Sequence, residues 1–310
     1  RINFLFEAHE VRWSDTCRQE SGNHVQAHLI PLVDMLTETI ISARTARVDV
    51  ITSAGIELRT LASEGCGAVG FSTGTATFAP GACLPYHFHT FSEAVTILEG
   101  QARMLLEGRA YILNERDCVH VPAGTAHQVE NADPNGRMVA HWAFASASPS
   151  RTLVDKSFPL DDRGNGIPAS EGPEHISRFD QCPVYELSED AFFTDLFAKR
   201  LGAQGICGGY GRFRPGASLP CHIHDFDESI TIVKGSAVCF VQGRSYELSG
   251  YDTAFIPKGI PHRFMNQSDS EMAMLWVYAG NEPDRILVDP GFCSGEREWR
   301  GAELSQIHPL

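Results

Sequence analysis

Short apolar runs separated by glycine-containing breaks make up most of the chain. EAVTILEGQARMLLEGRAYIL, from Glu93, and ESITIVKGSAVCFVQGRSYEL, from Glu228, are rich in β-branched residues and contain glycines at hairpin spacing. Such runs are typical of antiparallel strands. Pro-Gly and Pro-x-Gly sequences separate the other runs, as turns do. The pattern therefore predicts an all-β protein built from small barrels or sandwiches.

The region before these runs follows a different period. Residues 24–46 carry apolar side chains at helical spacing, so we expect an N-terminal helix there. This helix would cover one barrel or form a subunit contact, which leaves a homodimer open. The apolar positions are Leu29, Leu32, Leu36, Ile40 and Ile41.

Two blocks of sequence occur twice with the same spacing. GACLPYHFHTFSEAVTILEG, residues 81–100, returns 135 residues later as GASLPCHIHDFDESITIVKG. DCVHVPAGTAHQVEN, residues 117–131, returns at the same offset as DTAFIPKGIPHRFMN. RTLVDKSF, from Arg151, resembles RILVDPGF, from Arg285, at an offset of 134. The period is too long for a solenoid, so each copy is expected to be a domain that ends with the same strand or arm.

The repeat and its connecting segments predict five regions. The stretch between the copies is rich in Gly, Pro, Ser and Asp, as interdomain connections are. The predicted regions are an N-terminal extension with a helix (1–47), a first barrel (48–154), a linker (155–182), a second barrel (183–290) and a C-terminal tail (291–310).

Composition and charge exclude several classes of function. The chain has 310 residues, enough for two domains that each bury a core. No run of about 18 apolar residues appears, so we do not expect a transmembrane protein. The formal net charge of -14 repels phosphate backbones and anionic lipids, so neither nucleic acid nor a membrane is expected as a partner.

The cysteines are predicted to be free thiols. There are nine of them, which cannot all pair, and no C-x-x-C spacing occurs. Charged residues interrupt the first thirty positions, so no secretory type of segment is visible. A reducing, cytoplasmic location fits these two observations best.

The first repeated block has the spacing of a metal site. Residues i and i+2 of a strand point to the same face, so His87 and His89 can present both imidazoles to one point. Glu93 follows a short turn, and His127 arrives from a separate strand. Three nitrogens and one carboxylate oxygen favour a borderline divalent metal with positions left for water or substrate. The same argument applies to the second set, and the eight predicted ligands are His87, His89, Glu93, His127, His222, His224, Glu228 and His262.

A single H-x-H sequence on a strand is more often a surface or core feature than a metal site. The glutamate and the distant histidine, repeated in register in both copies, favour the metal. Other histidines lack this support. His24 and His28 have no third partner. His120 and His141 correspond to Phe255 and Trp276 in the second copy, at an offset of 135. All four histidines are therefore expected to be structural or exposed.

Both blocks resemble the two motifs of the cupin superfamily. The first motif, G, five residues, H-x-H, three or four residues, E, six residues, G, is complete in both copies. The second motif fits from its proline onward, but Arg116 and Tyr251 stand where the family has glycine. Glycine there usually serves a turn, so the conformation of the local hairpin is expected to differ, but the ligands are not affected. In the second copy, Gly250 could take over this role. The resemblance implies two tandem jelly-roll-like barrels, a bicupin, with one metal in each.

The resemblance leaves the reaction open. Similar bicupins include metal-dependent dioxygenases, decarboxylases, isomerases, lyases and ureidoglycine aminohydrolases, while seed globulins commonly lack intact ligands. Complete ligand sets favour an enzyme, and we expect an Fe(II)- or Mn(II)-dependent oxygenase of a small organic molecule, with Zn or Ni as other metals. A non-redox lyase, isomerase or hydrolase, or a non-catalytic binding protein, is the alternative. Oxalate decarboxylases carry four residues before the glutamate instead of the three found here.

The residues expected around the metals follow from strand alternation. Positions spaced by two from the ligands should face inward, and most of them are apolar, which also suits a plain barrel core. Tyr86 and Cys221 differ at one matching position, which suggests that the two sites are not equivalent. The predicted pocket residues are Tyr86, Val95, Ile97, Met104 and Val129 in the first barrel and Cys221, Ile230, Ile232, Cys239 and Phe264 in the second.

Overall fold

The structure is a computed structural model that describes residues 37–51, 54–166 and 173–301. It consists of two similar β-barrels, each made of two facing sheets. Fourteen strands precede the second copy of the repeat: β1 (Thr39–Ile41), β2 (Val48–Ile51), β3 (Ile56–Ala62), β4 (Ser72–Phe78), β5 (Cys83–Phe88), β6 (Glu93–Glu99), β7 (Ala102–Leu106), β8 (Arg109–Leu113), β9 (Cys118–Val121), β10 (His127–Asn131), β11 (Met138–Phe144), β12 (Thr152–Leu153), β13 (Asp161–Gly164) and β14 (His175–Ser177).

The second copy adds eleven strands and a short helix. The strands are β15 (Tyr185–Ser188), β16 (Ala191–Phe197), β17 (Cys207–Phe213), β18 (His222–Ile223), β19 (Glu228–Lys234), β20 (Ser236–Val241), β21 (Arg244–Ser249), β22 (Thr253–Ile256), β23 (His262–Met265), β24 (Met272–Tyr278) and β25 (Ile286–Leu287). In the described part of the chain, 3-10 turns lie at Glu64–Cys66, Phe179–Gln181 and Lys199–Leu201, and helix α1 spans Gly291–Ser294. Among the described residues, no helix is long and apolar enough to cross a bilayer.

Each barrel pairs a larger sheet with a smaller one. In the first barrel the order is β14-β9-β6-β11-β4-β3-β2 opposite β12-β5-β10-β7-β8-β13. In the second it is β1-β22-β19-β24-β17-β16-β15 opposite β21-β20-β23-β18-β25. The pairs are antiparallel except β13 with β8. The predicted fold class, all-β with two tandem jelly-roll-like barrels, is confirmed.

The inward faces of the sheets are filled by the apolar positions that alternation predicts. Trp142 on β11 crosses Gly74 on β4, and the same pair recurs as Trp276 and Gly209 in the second barrel. A Cβ on Gly74 would lie 2.1 Å from the Trp142 ring, so glycine is required for this close approach. The offset between these tryptophans is 134, which makes Leu275, not Trp276, the counterpart of His141.

An exchange of edge strands connects the two barrels. Strand β1 precedes the first barrel but pairs with β22 of the second, and β14 precedes the second barrel but pairs with β9 of the first. A buried carboxylate anchors each arm. Glu174 accepts hydrogen bonds from Arg109 at 2.7 and 2.8 Å and from the Tyr111 hydroxyl at 2.9 Å. The equivalent set in the second barrel is Glu38, Arg244 and Tyr246.

These arms bear on the predicted regions. The expected helix over residues 24–46 lies outside the described residues up to position 36, so it and its subunit contact stay predictions. Its last part was wrong, because Thr39–Ile41 forms β1. Three β-branched residues favour a strand where an open sheet edge is available. The predicted domain limits stay predictions, although strands β1, β13 and β14 show that both barrels include residues from outside 48–154 and 183–290.

The expected common arm after each barrel is confirmed. Thr152–Leu153 pairs with β5, and Ile286–Leu287 pairs with β18. The RTLV and RILV sequences therefore both lie beside the strand that leads into H-x-H. The turn that lacks the family glycine is also intact, with φ of 72° at Arg116 and 73° at Tyr251. Contacts with the other copy accompany this left-handed backbone, since Tyr251 donates a hydrogen bond to Glu99 and Arg116 lies over Phe179.

The prediction that all cysteines are free thiols was wrong for one pair. Cys221 and Cys293 form a disulfide with a Cα–Cα distance of 6.0 Å. The sequence separation of 72 residues hides the pair, because α1 brings Cys293 back to the second barrel only in the folded chain. Six other cysteines of the described residues are free, and Cys118, Cys207 and Cys239 among them are buried.

Candidate metal centres

The four predicted ligands of the first barrel come together between its two sheets. His87 lies on β5, where its Cα is paired with that of His127 on β10, and His89 follows directly after β5. Glu93 begins β6 in the opposite sheet, after the turn that the sequence predicts. Each residue offers one ligand atom, and the four atoms lie within 4.8 Å of one another. All four side chains are buried.

The second barrel repeats this arrangement. His222 on β18 is paired with His262 on β23, His224 follows the strand, and Glu228 begins β19. Their ligand atoms also lie within 4.8 Å of one another, and all four residues are buried. The structure therefore contains two three-His, one-Glu centres, one in each barrel.

Backbone carbonyls determine which imidazole nitrogen faces each centre. Nδ1 of His87 lies 2.8 Å from the Pro85 carbonyl oxygen, and Nδ1 of His127 lies 2.9 Å from that of Thr125. Nδ1 of His89 lies 2.5 Å from the Ser150 carbonyl oxygen. A carbonyl oxygen can only accept, so Nδ1 carries the proton and Nε2 keeps its lone pair for a ligand. The three histidines of the second barrel have equivalent carbonyl partners, from Pro220, Asp284 and Ile260.

Unsatisfied polar atoms in both centres fit a bound cation. Nε2 of His127 lies 2.8 Å from Oε2 of Glu93, and Nε2 of His262 lies 2.6 Å from Oε2 of Glu228. None of these four atoms has a hydrogen-bond partner among the described residues. When the proton is on Nδ1, two lone pairs face each other across this distance, which is unfavourable without a cation between them. The donor set therefore fits a divalent transition metal.

Electrostatics in the first centre favour the metal-binding protonation states of His87, His89 and Glu93, whereas the charge of Glu93 raises the pKa of His127 although burial opposes this. Burial lowers the pKa of His87 well below its ordinary value, and nearby His127 lowers it further. Burial also lowers the pKa of His89. Burial opposes ionisation of Glu93, but the neighbouring histidines outweigh it and lower the pKa of Glu93 to about 2. Neutral imidazoles beside a carboxylate are the forms that ligate a metal.

The second centre has similar electrostatics. Burial lowers the pKa of His224 to about 4 and that of His222 well below its ordinary value. The pKa of Glu228 is lowered although burial opposes this, because His262 and His224 stabilise its charge.

A cavity of about 60 Å³ lies beside the first centre. His87, His89 and Glu93 form its polar floor, and the loop between β11 and β12 forms one side with Pro149, Ser150 and Arg151. The remaining walls are apolar, and they consist of Leu58, Ala76, Phe78, Leu84, Val95, Val129, Ala140, Trp142 and Phe144.

The structure places the predicted pocket residues unevenly. Val95 and Val129 line the cavity, whereas Ile97 and Met104 are fully buried in the core of the first barrel. Tyr86 is absent from the cavity lining and packs against Phe158, with ring centroids 5.0 Å apart. Neighbours on a strand face opposite sides, so a residue directly before a ligand cannot share its face. The expectation that Tyr86 lines the pocket therefore needs correction.

The same reasoning corrects the second barrel. Cys221 directly precedes His222 and forms the disulfide with Cys293 in a separate apolar cluster. The other four predicted residues belong to the core of this barrel, and they are Ile230, Ile232, Cys239 and Phe264. Burial raises the pKa of the Cys239 thiol well above its ordinary value, so the thiol is neutral.

Larger side chains stand around the second centre at the positions that border the first cavity. Strand register makes Phe193 the counterpart of Leu58 and Met274 the counterpart of Ala140. Ile230 replaces Val95, and Phe264 replaces Val129, at an offset of 135. Gly211, the counterpart of Ala76, is smaller by one methyl group, which offsets only a small part of the added side-chain volume. The two centres thus have the same types of ligand, but larger side chains occupy the positions beside the second centre.

Three further residues beside the two centres escaped the sequence reasoning. Phe91 stacks on His89 with ring centroids 5.1 Å apart, and Phe226 stacks on His224 at 5.3 Å. Their offset of 135 is visible in the repeat, so they could have been found. Arg151 lines the first cavity, whereas most of the inward-facing positions predicted from the sequence are apolar. Its signal was the repeated RTLV and RILV sequence, which was interpreted only as an arm.

Comparison with known proteins gives the family. The profile described as "Cupin domain" matches residues 74–144 and 209–278, once in each barrel. A protein described as polyketide synthase CurC, from Streptomyces cyaneus, is 30% identical over 131 residues, which cover 38% of this chain and 85% of that protein. The chain belongs to the cupin superfamily. Since both barrels match, it is a bicupin.

Solved bicupin structures have the same fold. A deletion mutant of Bacillus subtilis oxalate decarboxylase superposes with a TM-score of 0.66 at 16% identity, over 80% of this chain and 79% of that one. The formate complex of Lactobacillus farciminis oxalate decarboxylase gives a TM-score of 0.66 at 18% identity, over 80% of this chain and 88% of that one. At this identity the likeness concerns the fold alone.

Proposed function

We propose that this bicupin is a metal-dependent enzyme that converts a small organic molecule in its first barrel. The observation that carries the proposal is the cavity beside His87, His89 and Glu93, because a reactive centre needs room for a substrate. The second centre has a complete ligand set but larger neighbours. It would bind its metal mainly to stabilise the second barrel.

The residues of the first centre have defined tasks in this proposal. His87, His89, His127 and Glu93 would hold the metal, and the carbonyl oxygens behind the imidazoles keep their orientation. A divalent metal bound there would supply Lewis acidity or, as Fe(II) or Mn(II), redox chemistry with O2. The apolar walls, including Trp142 and Phe144, exclude water from the substrate and so protect reactive species from hydrolysis.

An oxygenase is the reaction class that we favour. Four protein ligands leave up to two adjacent positions of an octahedron, enough for a substrate oxygen and O2 together. The cavity has no carboxylate other than Glu93 and no lysine among its lining residues, so chemistry at the metal is better supported than acid-base chemistry by side chains. Fe(II) and Mn(II) are the metals this proposal requires.

A non-redox lyase, isomerase or hydrolase is the second candidate. It is favoured by Arg151, whose permanent positive charge beside the centre can stabilise an oxyanion that develops on the substrate. The fold shared with oxalate decarboxylases is compatible with this alternative. The metal would then act only as a Lewis acid.

Anaerobic turnover distinguishes these two candidates. Small organic acids, diols and enols would be screened with protein loaded with Fe(II), Mn(II) or Zn(II), in air and without O2. An oxygenase converts its substrate only in air and only with a redox-active metal. Equal rates without O2 by the zinc protein would replace the oxygenase proposal with the Lewis-acid one. Conversion by the H87A/H89A variant at the wild-type rate would contradict both.

A further inference from the structure

Arg151 occupies a special place in the first cavity. It is half-buried, and it is the only arginine or lysine among the residues that line this cavity. The preceding residue, Ser150, holds His89 through its carbonyl oxygen, and the following residue, Thr152, begins the arm that pairs with β5. Two backbone anchors thus flank Arg151, which keeps it beside the centre.

The charge of Arg151 has no partner of its own. Among the described residues, no carboxylate lies within ion-pair distance of its guanidinium, and Glu93, whose charge attracts it from farther away, belongs to the ligand set of the metal. Burial lowers the pKa of Arg151, which reports loss of water around the charge. A half-buried guanidinium without an ion pair is costly unless a ligand supplies the missing acceptor.

The second barrel also has an arginine at this position, and its buried Nη1 has no hydrogen-bond partner among the described residues. Arg285 is the counterpart of Arg151, and its guanidinium lies 5.9 Å from the ring centroid of Phe193. In the first barrel Leu58 replaces this phenylalanine, so Arg151 has no ring to cover and borders open space instead. The different surroundings of the two arginines follow the smaller side chains that border the first centre.

We infer that Arg151 binds an anionic oxygen of the substrate, so that the substrate class is a small carboxylate, or another monoanion, with a short apolar body. This inference rests on the proposed function of the first barrel. The guanidinium offers paired N–H donors to two oxygens, which suits a carboxylate. The apolar walls Leu58, Val95 and Trp142 would hold the rest of the molecule. Arg151 is thus a specificity-determining residue.

Ligand binding tests this inference without turnover. The probes are 4,4,4-trifluorobutyrate and its neutral analogue 4,4,4-trifluorobutyramide, titrated by 19F NMR into zinc-loaded protein. R151Q should weaken carboxylate binding at least about tenfold, because charge-assisted hydrogen bonds are lost, and leave amide binding unchanged. R151K, which keeps the charge, should recover part of the affinity. The matched control is R285Q, which should leave both affinities as in the wild type.

Zinc content separates recognition from damage to the centre. Elemental analysis of R151Q should give the wild-type number of ions. If R151Q loses zinc, the R151K variant is used instead. The inference is then supported if R151K still binds the carboxylate more tightly than the amide, as the wild type does. Equal binding of carboxylate and amide by the wild type, or a carboxylate affinity of zinc-loaded R151Q within about twofold of wild type, overturns the inference alone. Failure of both probes to bind zinc-loaded wild type overturns the inference and also contradicts the open substrate site of the proposed function.

Discussion

Ala140 and Met274 occupy equivalent positions in the two barrels. Ala140 on β11 is paired with Ala76, and Met274 on β24 is paired with Gly211. Ala140 borders the cavity of the first barrel, whereas Met274 is buried in the core of the second. One small side chain therefore contributes to the space that makes the first centre accessible to a substrate.

Filling this position should close the first site. A140M places the side chain of the second barrel into the first, and we expect small-molecule binding and any turnover to fall at least about tenfold, with a stability cost of about 1–3 kcal/mol from overpacking. Two metal ions per chain should remain. The control M274L conserves volume in the second barrel and should change neither binding nor turnover. Wild-type binding by A140M in a 19F NMR titration would show that the substrate does not use this cavity.

Metal stoichiometry tests both centres. Wild-type protein supplemented with Mn(II) should contain two ions per chain, because both ligand sets are complete. H87A/H89A should lose one ion and keep the other, and H222A/H224A should do the same at the other centre. Elemental analysis after gel filtration gives the count. Zero or one ion in the supplemented wild type contradicts the assignment of two centres.

The anchors of the exchanged arms should be strongly stabilising. The Glu174 carboxylate is fully buried and bound by Arg109 and Tyr111, so E174Q removes the nearest counter-charge of a partly buried guanidinium and leaves it only the more distant, exposed Glu107 at 3.8 Å. We expect the free energy of unfolding to fall by about 3 kcal/mol in urea titrations. E271Q is the matched control, since Glu271 pairs with Lys234 at the exposed surface, and it should cost less than about 1 kcal/mol. Equal losses of unfolding free energy in the two variants would mean that the buried anchor stabilises the protein no more than a surface ion pair does.

His141 should make stability depend on pH. Burial lowers its pKa to about 3, while in the unfolded chain the value is near 6.5. Between these values only the unfolded chain takes up the proton, so stability falls as pH decreases through this window. H141L, which introduces the residue found at the equivalent position 275, should be less sensitive by about 2–3 kcal/mol between pH 6.5 and 4.5. Urea titrations of both proteins give the difference, and parallel pH profiles would exclude His141 as a source.

The repeat made the fold and the ligand sets predictable. Each of the eight ligand positions appears at a constant offset of 135, and strand alternation places His87 and His89 on one face. Alternation does not give the depth of a side chain in the barrel, so Ile97 and Met104 were expected in the pocket but lie in the core.

Other features depend on contacts between distant segments. The pairing of Cys221 with Cys293 and the exchange of β1 arise only in the folded chain. Arg151 reaches the cavity from the loop before β12, 62 residues after His89, and the repeated RTLV and RILV sequence marks this segment without showing that the arginine borders the cavity. Neither periodicity nor spacing contains this information.

Paramagnetic relaxation tests the central claim, that the substrate site is in the first barrel, most directly. Each double variant would be loaded with Mn(II), and the 19F linewidth of 4,4,4-trifluorobutyrate would be measured with substoichiometric protein. H222A/H224A keeps only the first centre and should broaden the probe signal strongly, with the broadening lost on further substitution A140M. H87A/H89A keeps only the second centre. It should broaden the probe signal no more than nonspecific contact of the probe with the protein surface does. Equal broadening by the two variants, or broadening by H87A/H89A alone, would contradict the account.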